Sequence, residues 1–291
     1  MNLAILAGLI LLGGLVLGAC APLATFNAIT PADAAELAES NISYGPDLRQ
    51  RLDVYRPQGQ TSPAPVIVFF YGGSWNSGHK EDYAFAGKAF AAQGFVVVVA
   101  DYRLVPQVRF PAFLEDGAKI IAWTKNNARR FGGNPDQLFV LGHSAGAYIA
   151  VMLGLDGKYL RGAGLDPSTI TAVAALAGPY DFLPFDVSST IEAFGRAPDP
   201  GATQPVNFVT RAAPPMLLAT GDEDTTVKPR NTRRLAALLK AANTNVRAVE
   251  YPGVGHVGIM LALSRPFRSN APVVGDVTAF FRDQIARRPN P

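Results

Sequence analysis

The stretch LFVLGHSAGAYIAVMLGL, residues 138–155, decides what kind of fold this chain can have. Four apolar residues typical of a buried strand lead into the motif Gly142-His143-Ser144-Ala145-Gly146, and a helical pattern continues to Leu155. Small residues at both ends of this G-x-S-x-G motif let the chain reverse so sharply that the serine lies on a strained turn. We therefore predict a strand, a turn and a helix, with the Ser144 hydroxyl projecting above a sheet. The alternative is a tight turn without a chemical role.

Strand-like and helix-like segments alternate on both sides of this stretch. The runs VIVFFY (66–71) and VVVVA (96–100) are apolar without alternation, as expected of strands buried on both faces of a parallel sheet. The pattern predicts a doubly wound α/β fold, in which helices flank a mostly parallel sheet. The eight predicted strands are Ile42–Tyr44, Leu52–Tyr55, Val66–Tyr71, Phe95–Asp101, Leu138–Leu141, Ala172–Leu176, Pro215–Thr220 and Val246–Tyr251. The predicted helices are Glu81–Ala92, Ala112–Phe131, Ala145–Leu155, Val227–Ala242 and Gly275–Arg287.

No linker divides this pattern, so residues 41–288 are predicted to form a single domain. Residues 20–40, rich in Ala, Pro and Thr, are expected to be a tether with at most one short helix. One stretch interrupts the alternation: residues 182–214 are rich in Pro, Gly and polar residues. An insertion of this length is either a short cap over a site or a loose loop. Its four phenylalanines would suit small substrates if it is a cap.

A serine hydroxyl needs a base to become a nucleophile, and the chain contains three histidines. His143 is adjacent to Ser144, so its side chain leaves the turn in a different direction. His79 lies in a glycine-rich segment after the third strand. His256 lies in a predicted loop just past the last strand, and active groups of open α/β sheets gather at the carboxyl ends of strands. We predict that His256 is the base.

The histidine in turn needs an acid to fix its tautomer and stabilise the imidazolium. The seventh predicted strand is followed by Asp222, Glu223 and Asp224, so three carboxylates compete for this role. The residues alone leave the choice among them open. Whichever acid is used, the order along the chain is serine, acid, histidine.

That order is the order of the α/β-hydrolases, and the chain resembles the carboxylesterase branch of that superfamily from Tyr44 to about Phe281. It is particularly similar to esterases related to hormone-sensitive lipase and to bacterial feruloyl-esterase-like esterases. The resemblance implies an α/β-hydrolase fold and carboxylesterase activity. The matching stretches are Leu52-Asp53-Val54-Tyr55, Tyr71 to Trp75, Asp101-Tyr102-Arg103-Leu104, Phe110-Pro111-Ala112, Gly142 to Gly146, Gly221 to Val227 and Gly255-His256.

The resemblance also assigns roles to individual residues. The acid of the family is three residues before the valine of a G-D-x-D-x-x-V loop, which is Asp224 here, and Asp222 would then hold the loop. The family's His-Gly-Gly-Gly loop donates backbone N–H groups to the oxyanion of acyl transfer. Carried over, the oxyanion hole consists of the N–H groups of Gly73, Ser74 and Ala145.

Two positions of this glycine loop depart from the family pattern. Tyr71 replaces the histidine and Ser74 replaces the third glycine, and neither replacement removes a backbone donor. The role of Tyr71 is left open between bracing the loop through its hydroxyl and packing. Trp75 is expected to wall the acyl or alcohol pocket, and the alternative is core packing.

The amino terminus differs in kind from the rest of the chain. Residues 3–19 carry no charge, and at 17 residues this run is shorter than the about 20 that a transmembrane helix needs. It is typical of a signal peptide spanning residues 1–19. Leu17-Gly18-Ala19-Cys20 resembles a bacterial lipobox, so the chain's single cysteine is predicted to carry a lipid. The alternatives are an ordinary signal peptide and an uncleaved anchor helix.

These observations favour a serine carboxylesterase that is exported and tethered to a membrane of the cell envelope through Cys20. Its expected substrates are short-chain or small aryl esters, and no metal or cofactor is implied. A net charge of +3 without a clustered basic stripe argues against nucleic acid as a partner. Two alternatives stay open: an amidase or arylformamidase with the same triad, and an inactive surface binding protein of the same fold. The oligomeric state is not predicted.

Overall fold

The protein is described here from a computed structural model that covers residues 25–27 and 30–287. Eight strands form one sheet in the order β1-β2-β4-β3-β5-β6-β7-β8. Strand β2 runs antiparallel to both of its neighbours, and the pairs from β4 onward are parallel. The predicted mostly parallel eight-stranded sheet is therefore confirmed. The strands are β1 Ala35–Ser43, β2 Arg51–Pro57, β3 Ala64–Phe70, β4 Val96–Ala100, β5 Gly133–His143, β6 Ala172–Leu176, β7 Met216–Gly221 and β8 Val246–Tyr251.

The central strands are apolar throughout because helices cover both of their faces. Every residue of β4, β6 and β7 is buried, and so are the last five of β3. Helix α3 packs against β5 and β6, α1 against β4, and α6 against β8. The helices are α1 Ala84–Ala91, α2 Ala112–Asn127, α3 Ala145–Leu155, α4 Lys158–Gly162, α5 Ser188–Phe194, α6 Arg230–Ala241, α7 His256–Leu261 and α8 Val273–Arg287. Short 3-10 turns lie at Lys80–Tyr83, Ala128–Phe131, Pro167–Thr169, Pro200–Thr203, Pro205–Phe208 and Arg265–Asn270.

The first strand corrects the expected boundary of the tether. Strand β1 begins at Ala35, seven residues before the predicted start at Ile42, so residues 35–40 pair with β2 instead of linking freely. The segment AELAE consists of good helix formers, but this local preference is weak compared with a hydrogen-bonded ladder. Two register shifts, between Leu37 and Glu39 and between Glu39 and Ile42, blur the alternation that would have signalled a strand.

The predicted signal peptide, Cys20 and most of the tether lie outside the described residues. Among the residues that are described, no helix combines the length and the apolar character needed to cross a membrane.

Candidate active site

Ser144 lies at the sharp turn between β5 and α3. Its φ of 54° and ψ of −120° place it in a conformation that side chains rarely adopt. The flanking glycines are sterically required there. A Cβ on Gly142 would lie 2.2 Å from the carbonyl oxygen of Gly146, and a Cβ on Gly146 would lie 2.0 Å from that of Phe70. The sharp turn predicted from the G-x-S-x-G motif is thus present, and no residue larger than glycine fits at either end of it.

The structure brings the three predicted catalytic side chains together. The Oγ of Ser144 lies 2.9 Å from Nε2 of His256, and Nδ1 of His256 lies 2.8 Å from Oδ2 of Asp224. The Asp224 side chain is fully buried, and the His256 side chain is 12% exposed. A buried carboxylate bonded to one ring nitrogen fixes the tautomer that leaves the other nitrogen free to accept the serine proton. Ser144, His256 and Asp224 thus form a hydrogen-bonded chain from the protein interior to the surface.

The loop after β7 shows why Asp224, and not its neighbours, reaches the histidine. Its Oδ1 accepts hydrogen bonds from the N–H groups of Thr226 (2.9 Å) and Val227 (2.8 Å), which leaves Oδ2 for His256. Asp222 accepts a hydrogen bond from the N–H of Gly253 at 2.7 Å and so connects this loop to the one that carries His256. Glu223 is exposed. These contacts depend on the folded loop, so the three carboxylates could not be told apart without the family resemblance, which assigned Asp224.

His256 begins the short helix α7, so the predicted loop is in fact a helix start. His143 lies behind it, with the two ring centroids 5.0 Å apart. The Nε2 of His143 lies 3.2 Å from the carbonyl oxygen of His256, and burial together with the neighbouring imidazole lowers the pKa of His143 to about 3. His143 is therefore neutral and donates to that carbonyl through Nε2–H.

The predicted oxyanion donors lie on two adjoining segments. A Cβ on Gly72 would meet the Ser144 Cβ at 2.9 Å, so the glycine loop runs directly against the serine turn. Within the described part of the chain, the N–H groups of Gly73, Ser74 and Ala145 make no hydrogen bond. Gly73, Ser74 and Trp75 all have positive φ, at 127°, 51° and 60°. Ser74 thus adopts the left-handed backbone conformation for which a glycine would be favoured.

Tyr71 is held by groups to which the sequence assigned no role. Its hydroxyl donates to Oδ1 of Asp101 at 2.6 Å and accepts a hydrogen bond from Nη2 of Arg49 at 2.8 Å. Its ring stacks between Tyr83 and Tyr102, each with a centroid 5.0 Å away. Burial and the nearby Asp101 carboxylate raise the pKa of Tyr71 well above its usual value, so the phenol stays protonated. Tyr71 therefore both braces the loop and packs.

Trp75 lies in an aromatic cluster that joins the glycine loop to the insertion at residues 182–214. Its ring centroid lies 4.8 Å from that of Phe194 in α5, 5.5 Å from that of Tyr148 in α3 and 6.4 Å from that of Phe182. The indole is 3% exposed, whereas Phe182 and Phe185 are only partly buried. The insertion is thus packed onto the active-site loops, with Trp75 enclosed and Phe182 at the edge of the cluster.

One group of side chains near the loop has the composition of a metal site. Among the described residues, ligand atoms of His79, Glu81 and Asp101 lie within 4.8 Å of one another. Asp101 already accepts from the Tyr71 hydroxyl and from the N–H of Lys80, and Glu81 pairs with the Lys80 ammonium. Donors of the protein itself thus already engage both carboxylates.

The chain is similar to known proteins that are named as esterases. Residues 52–239 match the family model described as BD-FAE. Esterase LipC of Mycobacterium tuberculosis is 33% identical over 74% of this chain and 58% of its own length. The isoprenylcysteine alpha-carbonyl methylesterase ICME of Arabidopsis thaliana is 29% identical over 76% of this chain and 57% of its own. The chain thus spans little more than half the length of these curated relatives.

A solved structure confirms the fold independently of close sequence similarity. A truncated form of a carbohydrate esterase from gut microbiota matches with a TM-score of 0.77 at 23% identity, covering 89% of this chain and 100% of that one. With the eight-stranded sheet described above, this likeness confirms the predicted α/β-hydrolase fold.

Proposed function

The chain belongs to the BD-FAE family, and from this membership and the geometry of the site we propose that it is a serine hydrolase acting on carboxylic esters. The observation that carries the proposal is the hydrogen-bonded chain of Ser144, His256 and Asp224. Its relatives LipC and ICME are named as an esterase and a methylesterase, which supports an ester over an amide substrate. An inactive binding protein would have no need of an aligned chain of this kind.

The reaction proceeds through an acyl-enzyme. Ser144 Oγ attacks the ester carbonyl carbon while His256 Nε2 takes its proton, and Asp224 stabilises the imidazolium that forms. The carbonyl oxygen becomes an oxyanion that accepts hydrogen bonds from the N–H groups of Gly73, Ser74 and Ala145. His256 then returns the proton to the leaving alcohol. Water repeats these steps to release the acid and regenerate Ser144.

The neutral state of His143 supports this cycle electrostatically. A second positive charge 5.0 Å from the His256 ring would oppose formation of the imidazolium. Because burial lowers the pKa of His143 to about 3, that charge is absent near neutral pH.

The aromatic cluster supports a small acyl or aryl group in the substrate. Phe182 contacts both Trp75, which follows the oxyanion loop, and Tyr148, one turn after Ser144. Its partly exposed ring offers an apolar surface beside Trp75 and Tyr148. Short-chain and small aryl esters are therefore the proposed substrates.

The cellular location is proposed from the amino-terminal sequence alone. The uncharged run at residues 3–19 and the motif Leu-Gly-Ala-Cys support export and lipid attachment at Cys20, with the enzyme tethered at the cell envelope. The mass of the mature amino terminus tests this, and a free Cys20 thiol or cleavage elsewhere contradicts it.

The decisive experiment compares the wild type with Ser144→Ala and with the surface control Ser168→Ala. The substrates are nitrophenyl esters of rising acyl length and an N-formyl-arylamine. We expect turnover of the shortest esters by the wild type and by Ser168→Ala, and a loss of kcat of more than about 10⁴-fold in Ser144→Ala. A fluorophosphonate probe should label only the two proteins that retain Ser144.

Each other outcome has a distinct meaning. Preference for the formyl amide would replace the esterase by an amidase. Failure of the fluorophosphonate to label the folded wild type would overturn serine hydrolysis itself. Labelling that persists in Ser144→Ala would overturn only the choice of nucleophile.

A further inference from the structure

The glycine loop carries two of the proposed oxyanion donors, and its own sequence does not fully determine its backbone conformation. Gly73 and Ser74 lie between Tyr71, the first residue after β3, and Gly78, where the chain turns toward the Lys80–Tyr83 helix. Three successive residues of this segment have positive φ, a conformation that is strained for Ser74 and Trp75 and persists only where the surroundings enforce it. The segment also has hydrogen bonds of its own: the N–H groups of Asn76 and Ser77 donate to the carbonyl oxygen of Gly73, and the N–H of Val105 donates to that of Trp75. Contacts at the two ends of the segment add to these in holding the backbone in place.

One side chain contacts both ends. Nη2 of Arg49 donates to the hydroxyl of Tyr71 at 2.8 Å and to the carbonyl oxygen of Gly78 at 2.7 Å. Nε of the same guanidinium donates to the carbonyl oxygen of Tyr102 at 3.0 Å. A planar guanidinium can make these bonds at once because its donors are rigidly arranged, and a single ammonium cannot. Arg49 thus connects the two ends of the loop to the segment after β4.

Asp101 explains why a cation is stabilised at this place. Its carboxylate is buried and accepts hydrogen bonds from the Tyr71 hydroxyl at 2.6 Å and the Lys80 N–H at 2.9 Å. Arg49 Nη2 lies 3.5 Å from the same oxygen, and the Arg49 side chain is only 20% exposed. The charge of the guanidinium is thus balanced inside the protein, which restricts its motion.

We propose that Arg49 is a positioning residue for catalysis, which holds Tyr71 and Gly78 so that the N–H groups of Gly73 and Ser74 meet the oxyanion. The inference rests on the proposed esterase function. Arg49 does not touch the reacting atoms, and it acts on them only through the backbone of the loop. Its loss should reduce stabilisation of the oxyanion without removing the Ser144–His256 pair.

The test compares an ester with its thionoester, in which sulfur replaces the carbonyl oxygen. Sulfur is a weak hydrogen-bond acceptor, so an intact oxyanion hole favours the oxygen substrate. We expect Arg49→Lys and Arg49→Ala to lower kcat for the ester by about 10- to 100-fold with a smaller change in KM, since a loop displaced by a fraction of an ångström loses donor alignment. The ratio of kcat/KM for ester over thionoester should fall toward one. Added guanidinium should partly restore Arg49→Ala.

Arg103→Ala is the matched structural control. Arg103 makes a bidentate pair with the fully buried Asp116 in the same part of the fold, and it does not contact the loop at residues 71–78. We expect this variant to be less stable than the wild type but to keep the wild-type ratio of kcat/KM for ester over thionoester. If Arg49→Ala does not fold, Arg49→Lys alone decides the question.

The proposal is overturned if Arg49→Lys keeps the wild-type ratio, or if ester and thionoester rates fall in equal proportion as they would from partial unfolding. A wild type that hydrolyses no ester overturns the proposed function and this inference with it. If the wild type hydrolyses esters and Arg49→Lys keeps the wild-type ratio of kcat/KM for ester over thionoester, only the inference about Arg49 is overturned.

Discussion

Two of the strand ends that build the candidate site are held in different ways. The serine turn after β5 is fixed by backbone overlap, because Gly142 and Gly146 leave space for nothing larger. The glycine loop after β3 is fixed by side chains from elsewhere: Arg49 and Asp101 lie 22 and 30 positions from Tyr71 in sequence. A turn that is fixed by sterics can be predicted from a local sequence motif. A loop that is fixed by a polar network can be predicted only once its distant partners are known.

The largest effect is expected from the sterically fixed turn. Gly146→Ala places a Cβ 2.0 Å from the carbonyl oxygen of Phe70 and 2.5 Å from that of Tyr71, and backbone atoms cannot move away easily. We expect a loss of more than about 3 kcal/mol in the free energy of unfolding, or no soluble protein. Urea denaturation and soluble yield measure this.

The control for that change is Gly275→Ala in α8, where an added Cβ meets nothing within 4 Å. There the same substitution should stabilise the protein by about 0.5 to 1 kcal/mol, because alanine favours the helix. A Gly146→Ala protein as stable and active as the wild type would show that the turn is not held by overlap.

A smaller effect is expected at the contact between the two regions, where His143 lies. Its pKa is 6.5 in an unfolded chain and about 3 in the fold, so below pH 6.5 the unfolded state binds a proton that the folded state does not. Stability should therefore fall as pH falls, by about 1.4 kcal/mol per pH unit from this group, or about 2 to 3 kcal/mol at pH 4.5.

His143→Gln removes this group while keeping a side-chain N–H for the carbonyl of His256. As pH falls from 7 to 4.5, we expect the free energy of unfolding to decrease more in the wild type than in the variant. Urea denaturation at each pH measures this. Parallel curves for the two proteins would mean that His143 takes up protons in the folded state as readily as in the unfolded one.

The smallest effect is expected from the polar network. Tyr71→Phe removes one donor to Asp101 and one acceptor of Arg49 but keeps the stacked ring, so we expect a loss of about 1 to 2 kcal/mol in stability and a several-fold lower kcat. Steady-state kinetics and thermal unfolding measure these changes. Tyr159→Phe is the control, because that hydroxyl is buried without a hydrogen bond among the described residues. Turnover unchanged in Tyr71→Phe would leave Tyr71 as packing alone.

Local pattern was sufficient for much of the fold. The central parallel strands and helix α3 follow from continuous apolar runs and from small residues at the turn, which depend on near neighbours in sequence. The local pattern failed to predict elements whose structure depends on residues that are close in space but distant in sequence. The start of β1 at Ala35 depends on its pairing with β2, and the short helices α4, α5 and α7 are stabilised by the surfaces they cover.

The same division holds at the site. Sequence by itself determined that Ser144 stands on a strained turn and that His256 follows the last strand, because glycine spacing and strand order are local and topological properties. The family resemblance assigned the acid role to Asp224, but the residues alone left it open. The tertiary structure shows that Asp224 and not Asp222 meets the histidine, and it alone shows that Arg49 and Asp101 hydrogen-bond to Tyr71. The physical reason is the short range of a hydrogen bond: its partners are selected by positions in space to within a few tenths of an ångström, which no spacing along the chain specifies.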